Sequence, residues 1–141
     1  MRALNVRLLV GVVLAQFLAI GCISCTQASR SLQDRIPKPD VRKYASVRDA
    51  KGWRNPYLVV RPEGIEIIGM TPVGKAISVD SIPGNLEGLP DSAWPYGLVV
   101  AVQDTGILSG KTDAANIEAN RTRLLNLLDK LGIAVDRWPS A

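Results

Sequence analysis

The sequence predicts a small α+β domain over residues 45–141, with elements in the order β-β-α-β-α-β and helices over one face of a sheet. Three observations lead to this fold class. Two short apolar runs, "YLVVR" and "IEIIG", flank the turn-forming residues "PEG", as in a strand hairpin. A later run, "YGLVVAVQD", is continuously apolar, which is typical of a central strand covered on both faces. A leucine-rich segment with helical spacing then leads to a last strand-like run, "IAVDRW".

Local signals justify the elements in turn. In the hairpin, Pro62 suits the first turn position and Gly64 supplies a positive φ. The segment "GKAISVDSIPGNLEGLP" has apolar residues at helical spacing, but its glycines and proline predict a short helix. For the long helix we expect Thr112 or Asp113 to cap the first turn and Gly132 to end it. The apolar stripe of that helix consists of Ile117, Leu124, Leu128 and Leu131.

The turn before the long helix, "TGILSGKT", has the order strand, glycine-rich turn and helix that a phosphate-binding loop has. Such a loop needs four residues between its first glycine and the Gly-Lys pair, so that consecutive backbone N–H groups surround the phosphates. Only three residues separate Gly106 from Gly110. We therefore predict an ordinary turn, a surface position for Lys111, and no nucleotide as a ligand.

The N-terminal residues 1–25 read as an export signal or a membrane anchor. Arg2 and Arg7 precede an apolar stretch, and small residues follow it. No charge occurs from Leu8 to Cys25, a length of eighteen residues, which is just enough to span a bilayer. The sequence therefore predicts an exported protein of the bacterial periplasm or cell envelope, attached to the membrane if this segment is retained.

The motif "LAIGC" resembles the site at which bacterial lipoproteins are cleaved and lipidated on cysteine, which makes Cys22 the lipidation candidate. The match departs from the usual pattern because Ala19 stands where leucine is common. Cleavage after Ala28 is the alternative. Cys22 and Cys25 form a C-x-x-C, but the chain has no other cysteine and no histidine, so a four-ligand zinc site cannot be assembled.

A basic polar linker is predicted over residues 26–44. Residues 26–54 contain eight basic and three acidic side chains, whereas residues 55–141 contain seven basic and ten acidic ones. The basic balance of the chain therefore comes from the N-terminal third. Such a segment can rest on anionic lipid headgroups or serve as a solvated linker. Nucleic acid is excluded as a partner, because the charge is modest and aromatic residues do not interleave with it.

Residues for catalysis are sparse. There is no histidine, the serines lack a nucleophile motif, and the carboxylates are scattered. We expect no enzymatic activity, no cofactor and no metal. The aromatic residues either form a stacking surface for a sugar or peptide partner or seal the ends of a small core. They are Trp53, Tyr57, Trp94, Tyr96 and Trp138.

The order of elements resembles that of the ExbD/TolR biopolymer-transport proteins over residues 57–138. "YLVVRPEGIEIIG" looks like their opening hairpin, and "LLNLLDKLGIAVDRW" looks like their last helix and strand. The resemblance implies a periplasmic domain that dimerises and contacts envelope proteins or cell wall. The chain departs from the family in its apolar run, where the family's membrane aspartate is missing and Gln16 cannot exchange protons. The phrases "NPYLVVRPEGI", "PDSAWPYG" and "WPSA" also resemble a group of exported bacterial proteins, which implies no activity.

Three functions follow as hypotheses. The first is a non-enzymatic envelope protein that acts through protein or cell-wall contacts, with no evidence of proton coupling. The second is a carbohydrate- or peptidoglycan-binding module that uses the Trp/Tyr surface. The third is a small enzyme that uses carboxylates.

Overall fold

A computed structural model describes residues 30–106 and 110–139. The described residues form an α+β fold around a four-stranded sheet, as the sequence predicts. Its strands are β1 (Tyr57–Arg61), β2 (Gly64–Ile67), β3 (Val99–Asp104) and β4 (Ala134–Trp138). They lie in the order β2-β1-β3-β4. β1 pairs antiparallel with β2, whereas the β1/β3 and β3/β4 pairs are parallel.

Four α-helices accompany the sheet: α1 (Leu32–Arg35), α2 (Val41–Tyr44), α3 (Ile82–Glu87) and α4 (Lys111–Lys130). Single 3-10 turns at Val79–Ser81 and Asp91–Ala93 flank α3. From β1 to β4 the predicted order β-β-α-β-α-β is therefore confirmed. α1 and α2 precede it, in a segment for which the charge pattern predicted a linker.

The first turn of α4 differs from the prediction. The helix begins at Lys111, and Gly110 occupies the cap position without a side-chain hydrogen bond. Thr112 and Asp113 therefore lie inside the first turn and not at the cap position, although a carboxylate at Asp113 still suits the positive end of the helix dipole. The end of the helix is as predicted, because Gly132 follows it with φ 64°.

Both α3 and α4 pack on the same face of the sheet. Ile82 and Leu86 of α3 share one core cluster with Leu124 and Leu128 of α4, the helix that connects the parallel strands β3 and β4. The main core lies there, between the inward side chains of the strands and the apolar stripe of α4. Its fully buried members include Leu58, Val60, Ile65, Ile67, Ile82, Leu86, Val100, Leu124 and Leu128.

The opposite face of the sheet is covered by residues from the N-terminal segment. Tyr44, Val47 and Trp53 pack against Val99 and Ala101 of the central strand β3. Strands with parallel neighbours are usually buried on both faces. Because α3 and α4 both cover one face, the other face would be open without the segment before β1.

The described part of the predicted linker packs onto the domain. Leu32 and Ile36 are each 4 % exposed and belong to the main core. The backbone N–H of Leu98 donates to Pro37 O at 2.8 Å, and that of Asp40 donates to Tyr96 O at 2.9 Å. The structure therefore extends the folded domain toward the N-terminus at least as far as α1. The count of charges did not predict that Leu32 and Ile36 are buried. These two residues are four positions apart and therefore lie on the same side of α1.

The predicted signal or anchor, with the lipidation candidate Cys22, lies outside the described residues. Within the described part of the chain, none of the helices has both the length and the apolar composition that crossing a bilayer requires.

Candidate interaction surfaces

Four of the five aromatic residues singled out from the sequence lie in one group. Trp53, Tyr57, Tyr96 and Trp138, joined by Tyr44, form what we call the aromatic cluster. The centroid of the Trp53 ring lies 5.2 Å from that of Tyr96 and 5.6 Å from that of Trp138. Their tilted and edge-on arrangements are the ones that aromatic quadrupoles favour. The structure thus joins segments that are far apart in the sequence.

Trp94 is the exception. It is 3 % exposed in the main core, on the opposite side of the sheet from the aromatic cluster. Its indole N–H finds no hydrogen-bond acceptor among the described residues. The five residues therefore do not form one surface.

Burial decides between the two interpretations of these rings. Trp53, Tyr57 and Tyr96 are only 7–8 % exposed, and Trp138 is partly buried. Their ring faces pack on one another and on the sheet, so they are not available for stacking a sugar ring. In the described structure the rings cover the second face of the sheet, as the sealing interpretation expects.

Asn55 ties the aromatic cluster to the start of β3. Its side-chain amide donates to Gly97 O and to Val99 O, both at 2.7 Å, and its oxygen accepts from Tyr96 N at 3.0 Å. All three bonds are buried, in a low-dielectric setting where they hold geometry firmly. These partners lie 41 to 44 residues away in the sequence, where no local signal indicates them.

Two tyrosines of the aromatic cluster have perturbed acidities. Burial raises the pKa of Tyr57 above its ordinary value, because a phenolate would lose its hydration there. Its hydroxyl donates to the side-chain oxygen of Gln103. The pKa of Tyr44 is raised by burial and, to a smaller extent, by the negative charges of Asp136 and Asp40. Both side chains are therefore neutral hydrogen-bonding groups at neutral pH.

A buried carboxylate on the edge strand β2 was not foreseen from the sequence. Glu66 is 2 % exposed, and it lies opposite Val59 in the β1/β2 ladder. Arg61 forms a salt bridge with it, and Arg61 Nε donates to Glu66 Oε2 at 2.5 Å. The second oxygen, Oε1, accepts from the backbone N–H of Gly74 at 2.8 Å. Glu66 thus connects the strand to the loop that follows β2.

That loop, residues 68–75, exposes apolar side chains, and we call it the apolar loop. Val73 is 99 % exposed, Ile68 is 44 % exposed and Met70 is 42 % exposed. In "IGMTPVGK" there is no acidic residue, and the single charged one is Lys75. Isolated exposed apolar residues are ordinary, but several on one short loop indicate contact with another body. The run has neither strand nor helix periodicity, so its local pattern carries no prediction.

The backbone of the apolar loop is held by internal hydrogen bonds. Five of its backbone N–H groups have acceptors within the protein: those of Ile68, Met70, Thr71, Gly74 and Lys75. The Thr71 hydroxyl also bonds the backbone of Ile67, donating to its oxygen at 3.1 Å and accepting from its nitrogen at 3.2 Å. Exposed apolar side chains therefore stand on a loop whose conformation is fixed.

The apolar loop and α1 lie at the same end of the sheet, which we call the lower end because β1, β3 and β4 begin there. Ile68 N donates to the carbonyl of Tyr57, the first residue of β1. At the same end, Gln33 of α1 donates to Leu131 O at 2.8 Å, just before β4. Arg35 of α1 bonds Asp91 and Glu87 O, both at 3.0 Å, shortly before β3.

Most carboxylates of the described residues lie at or near the surface. Glu66 is the one buried carboxylate among them, and Arg61 and Gly74 occupy both of its oxygens. No group of three or more acidic, histidine or cysteine side chains is placed to hold a metal within residues 30–106 and 110–139. Lys111 is exposed at the start of α4, whereas residues 107–109 of the glycine-containing turn lie outside the described part.

Comparison of the chain with protein-family models, with curated proteins and with solved structures finds no match. The ExbD/TolR resemblance therefore stays a prediction.

Proposed function

We propose that this protein is an exported component of the bacterial cell envelope, kept at a membrane by its N-terminal segment and acting through contacts without catalysis. One observation carries the proposal. α1 is docked at the lower end of the domain, and the charge-free apolar run ends at Cys25, five residues before the first described residue, Arg30.

The length of the intervening chain supports closeness to the membrane. Five residues span at most about 18 Å, and the eight from Cys22 to Arg30 span at most about 28 Å. Both lengths are no greater than the diameter of a small domain, roughly 30 Å. A retained anchor or a lipid on Cys22 would therefore keep α1, at the lower end of the domain, within about 28 Å of the bilayer.

A contact function is favoured over catalysis by the distribution of polar groups. Asn55 and Glu66 are the buried polar or charged residues in the described part of the chain. The side chains of both form hydrogen bonds with backbone groups and hold those groups in place. Exposed apolar side chains are concentrated in the apolar loop, which suits binding. The partners that the ExbD/TolR resemblance implies, namely a second copy, envelope proteins or peptidoglycan, belong to the same proposal.

The mass of the mature protein and its location test the proposal together. We expect the protein in the membrane fraction, either with a lipid on Cys22 or with residues 1–25 retained. If Cys22 is lipidated, Cys22→Ser leaves an unprocessed precursor, whereas Cys25→Ser is processed normally and serves as the matched control. A soluble protein that begins at Ser29 would show cleavage after Ala28 and would overturn membrane attachment.

A further inference from the structure

We propose that the apolar loop, residues 68–75, inserts into the lipid bilayer beside the N-terminal attachment point. This inference rests on the proposed attachment of the N-terminal segment to a membrane. It adds a second, separate contact between the domain and the lipid and thereby fixes how the domain is oriented.

The position of exposed apolar side chains is the first argument. Four large apolar side chains are exposed among the described residues: Val41, Ile68, Met70 and Val73. Three belong to the apolar loop. Val41 follows Asp40, whose N–H bonds Tyr96 O shortly before β3. All four therefore lie at the lower end of the sheet, the end that carries α1.

The reach of the chain is the second argument. α1 lies at the lower end, and at most about 18 Å of chain separates Arg30 from the apolar run. Adjacent strands are about 4.8 Å apart, so the sheet from β4 to β2 is only about 15 Å wide. A bilayer that holds the N-terminal segment is therefore within reach of the apolar loop across the same end of the sheet.

The internal hydrogen bonds of the apolar loop are the third argument. An unsatisfied backbone group is costly in hydrocarbon, which excludes most loops from it. Here five of the loop's seven backbone N–H groups bond within the protein, those of Gly69 and Val73 do not, and Pro72 has no N–H to satisfy. The Glu66 carboxylate accepts a hydrogen bond from the backbone N–H of Gly74, next to Val73. This bond supports the backbone of the tip, so the tip does not need to reorganise on insertion.

Charge at the apolar loop is also consistent with lipid. Lys75 is exposed at its base, where a long side chain can keep its ammonium at the headgroups while Met70 and Val73 enter the acyl region. The loop has no carboxylate that would be repelled by anionic lipid. A partner protein or a second copy could cover the same side chains, and the experiment separates these occupants from lipid.

The test uses the full-length chain in vesicles of phosphatidylcholine and phosphatidylglycerol. Cys22 and Cys25 stay in place, because Cys22 is the lipidation candidate, and an environment-sensitive fluorescent amino acid is incorporated in place of Val73 at the loop tip. The matched control carries the same fluorescent amino acid in place of Glu63, an exposed position in the β1–β2 turn at the opposite end of the sheet. Flotation of the vesicles reports attachment, and quenching by nitroxide-labelled lipid reports insertion.

We expect the protein to float, the probe at position 73 to shift to the blue and be quenched by the labelled lipid, and the probe at 63 to show neither effect. A floating protein with a water-exposed probe at 73 would overturn loop insertion and leave the attachment standing. A shielded probe that labelled lipid does not quench would show that protein and not lipid covers the loop, and concentration dependence of that shielding would identify a second copy. Either result would overturn the lipid proposal. A chain that fails to float would overturn both proposals.

Discussion

Replacement of Glu66 tests whether a buried carboxylate fixes the apolar loop to the sheet. Glu66→Gln keeps an oxygen that can accept from Gly74 N–H, but it removes the negative charge opposite Arg61. Glu66→Ala removes both functions and leaves the Gly74 N–H without its acceptor. The two variants therefore separate the salt bridge from the support of the loop.

The structure sets the expected losses of unfolding free energy. A hydrogen bond to a charged group contributes about 1.5–3 kcal/mol. Glu66 has a 3 % exposed side chain, but that of Arg61 is 26 % exposed, so the unpaired guanidinium can turn toward water. We therefore expect about 1.5 kcal/mol for Glu66→Gln, below the 3–5 kcal/mol typical of breaking a fully buried pair. Glu66→Ala should cost about 3 kcal/mol.

Urea unfolding of a fragment that begins at residue 30, followed by circular dichroism, measures these losses. Asp80→Asn is the matched control, because it breaks an exposed ion pair with Arg123. The side chain of Asp80 is 80 % exposed and that of Arg123 is 56 % exposed. An exposed pair contributes about 0.5 kcal/mol or less. If Glu66→Gln were no more destabilising than Asp80→Asn, the carboxylate would not have the structural role that its burial indicates.

Three further predictions concern other parts of the fold. Gly97→Ala should lower the free energy of unfolding by more than about 2 kcal/mol, because Gly97 has φ +85° and a Cβ there would lie 2.4 Å from Lys38 O. Gly84→Ala is the control: its Cβ would meet nothing within 4 Å, so the change should be neutral or stabilising. Burial raises the pKa of Tyr57, so its neutral phenol contributes to the free energy of unfolding. That contribution should be complete below about pH 10 and should be lost as the pH rises through the folded-state pKa. Tyr57→Phe should make stability less sensitive to alkali in pH-dependent urea unfolding. Lys111→Ala should change stability by less than about 0.5 kcal/mol, and calorimetric titration with Mg-ATP should be flat.

Each of these predictions has an outcome that contradicts it. Equal effects of the two glycine variants would show that the N-terminal segment is not packed at Lys38. An unchanged alkaline slope in Tyr57→Phe would show that this phenol does not titrate differently on folding. Saturable nucleotide binding that Lys111→Ala abolishes would restore a phosphate-binding role for the turn.

Strand and helix positions could be predicted because their signals are local. The hairpin depends on Pro62 and Gly64 within one turn, and α4 depends on leucines spaced over a few turns. The cap of α4 could not be assigned in this way. Thr112 and Asp113 both have suitable side chains, yet the chain enters the helix through Gly110, two residues before Thr112.

The contacts of the candidate surfaces could not be predicted because they join distant segments. Nothing local in "IEIIG" indicates that Glu66 is buried, because its partners Arg61 and Gly74 lie outside this run. Leu32 and Ile36 likewise lie among charged residues in the sequence. Their burial depends on contacts with the region of α3 and α4, which the fold brings next to α1. The exposed run at the apolar loop was visible in the sequence, but its rigid backbone was not.

The docking of α1 also constrains the order in which the chain folds. Gln33 bonds a carbonyl 98 residues further along, and Leu98 bonds Pro37 only after β3 exists. Contacts of such long sequence separation form late, because the loop they close carries a large entropic cost. α1 therefore cannot complete its docking until α4 has been synthesised. If the apolar run before α1 is an export signal, an emerging chain presents it followed by a segment that is not yet docked, the form that can be threaded across a membrane before the domain closes.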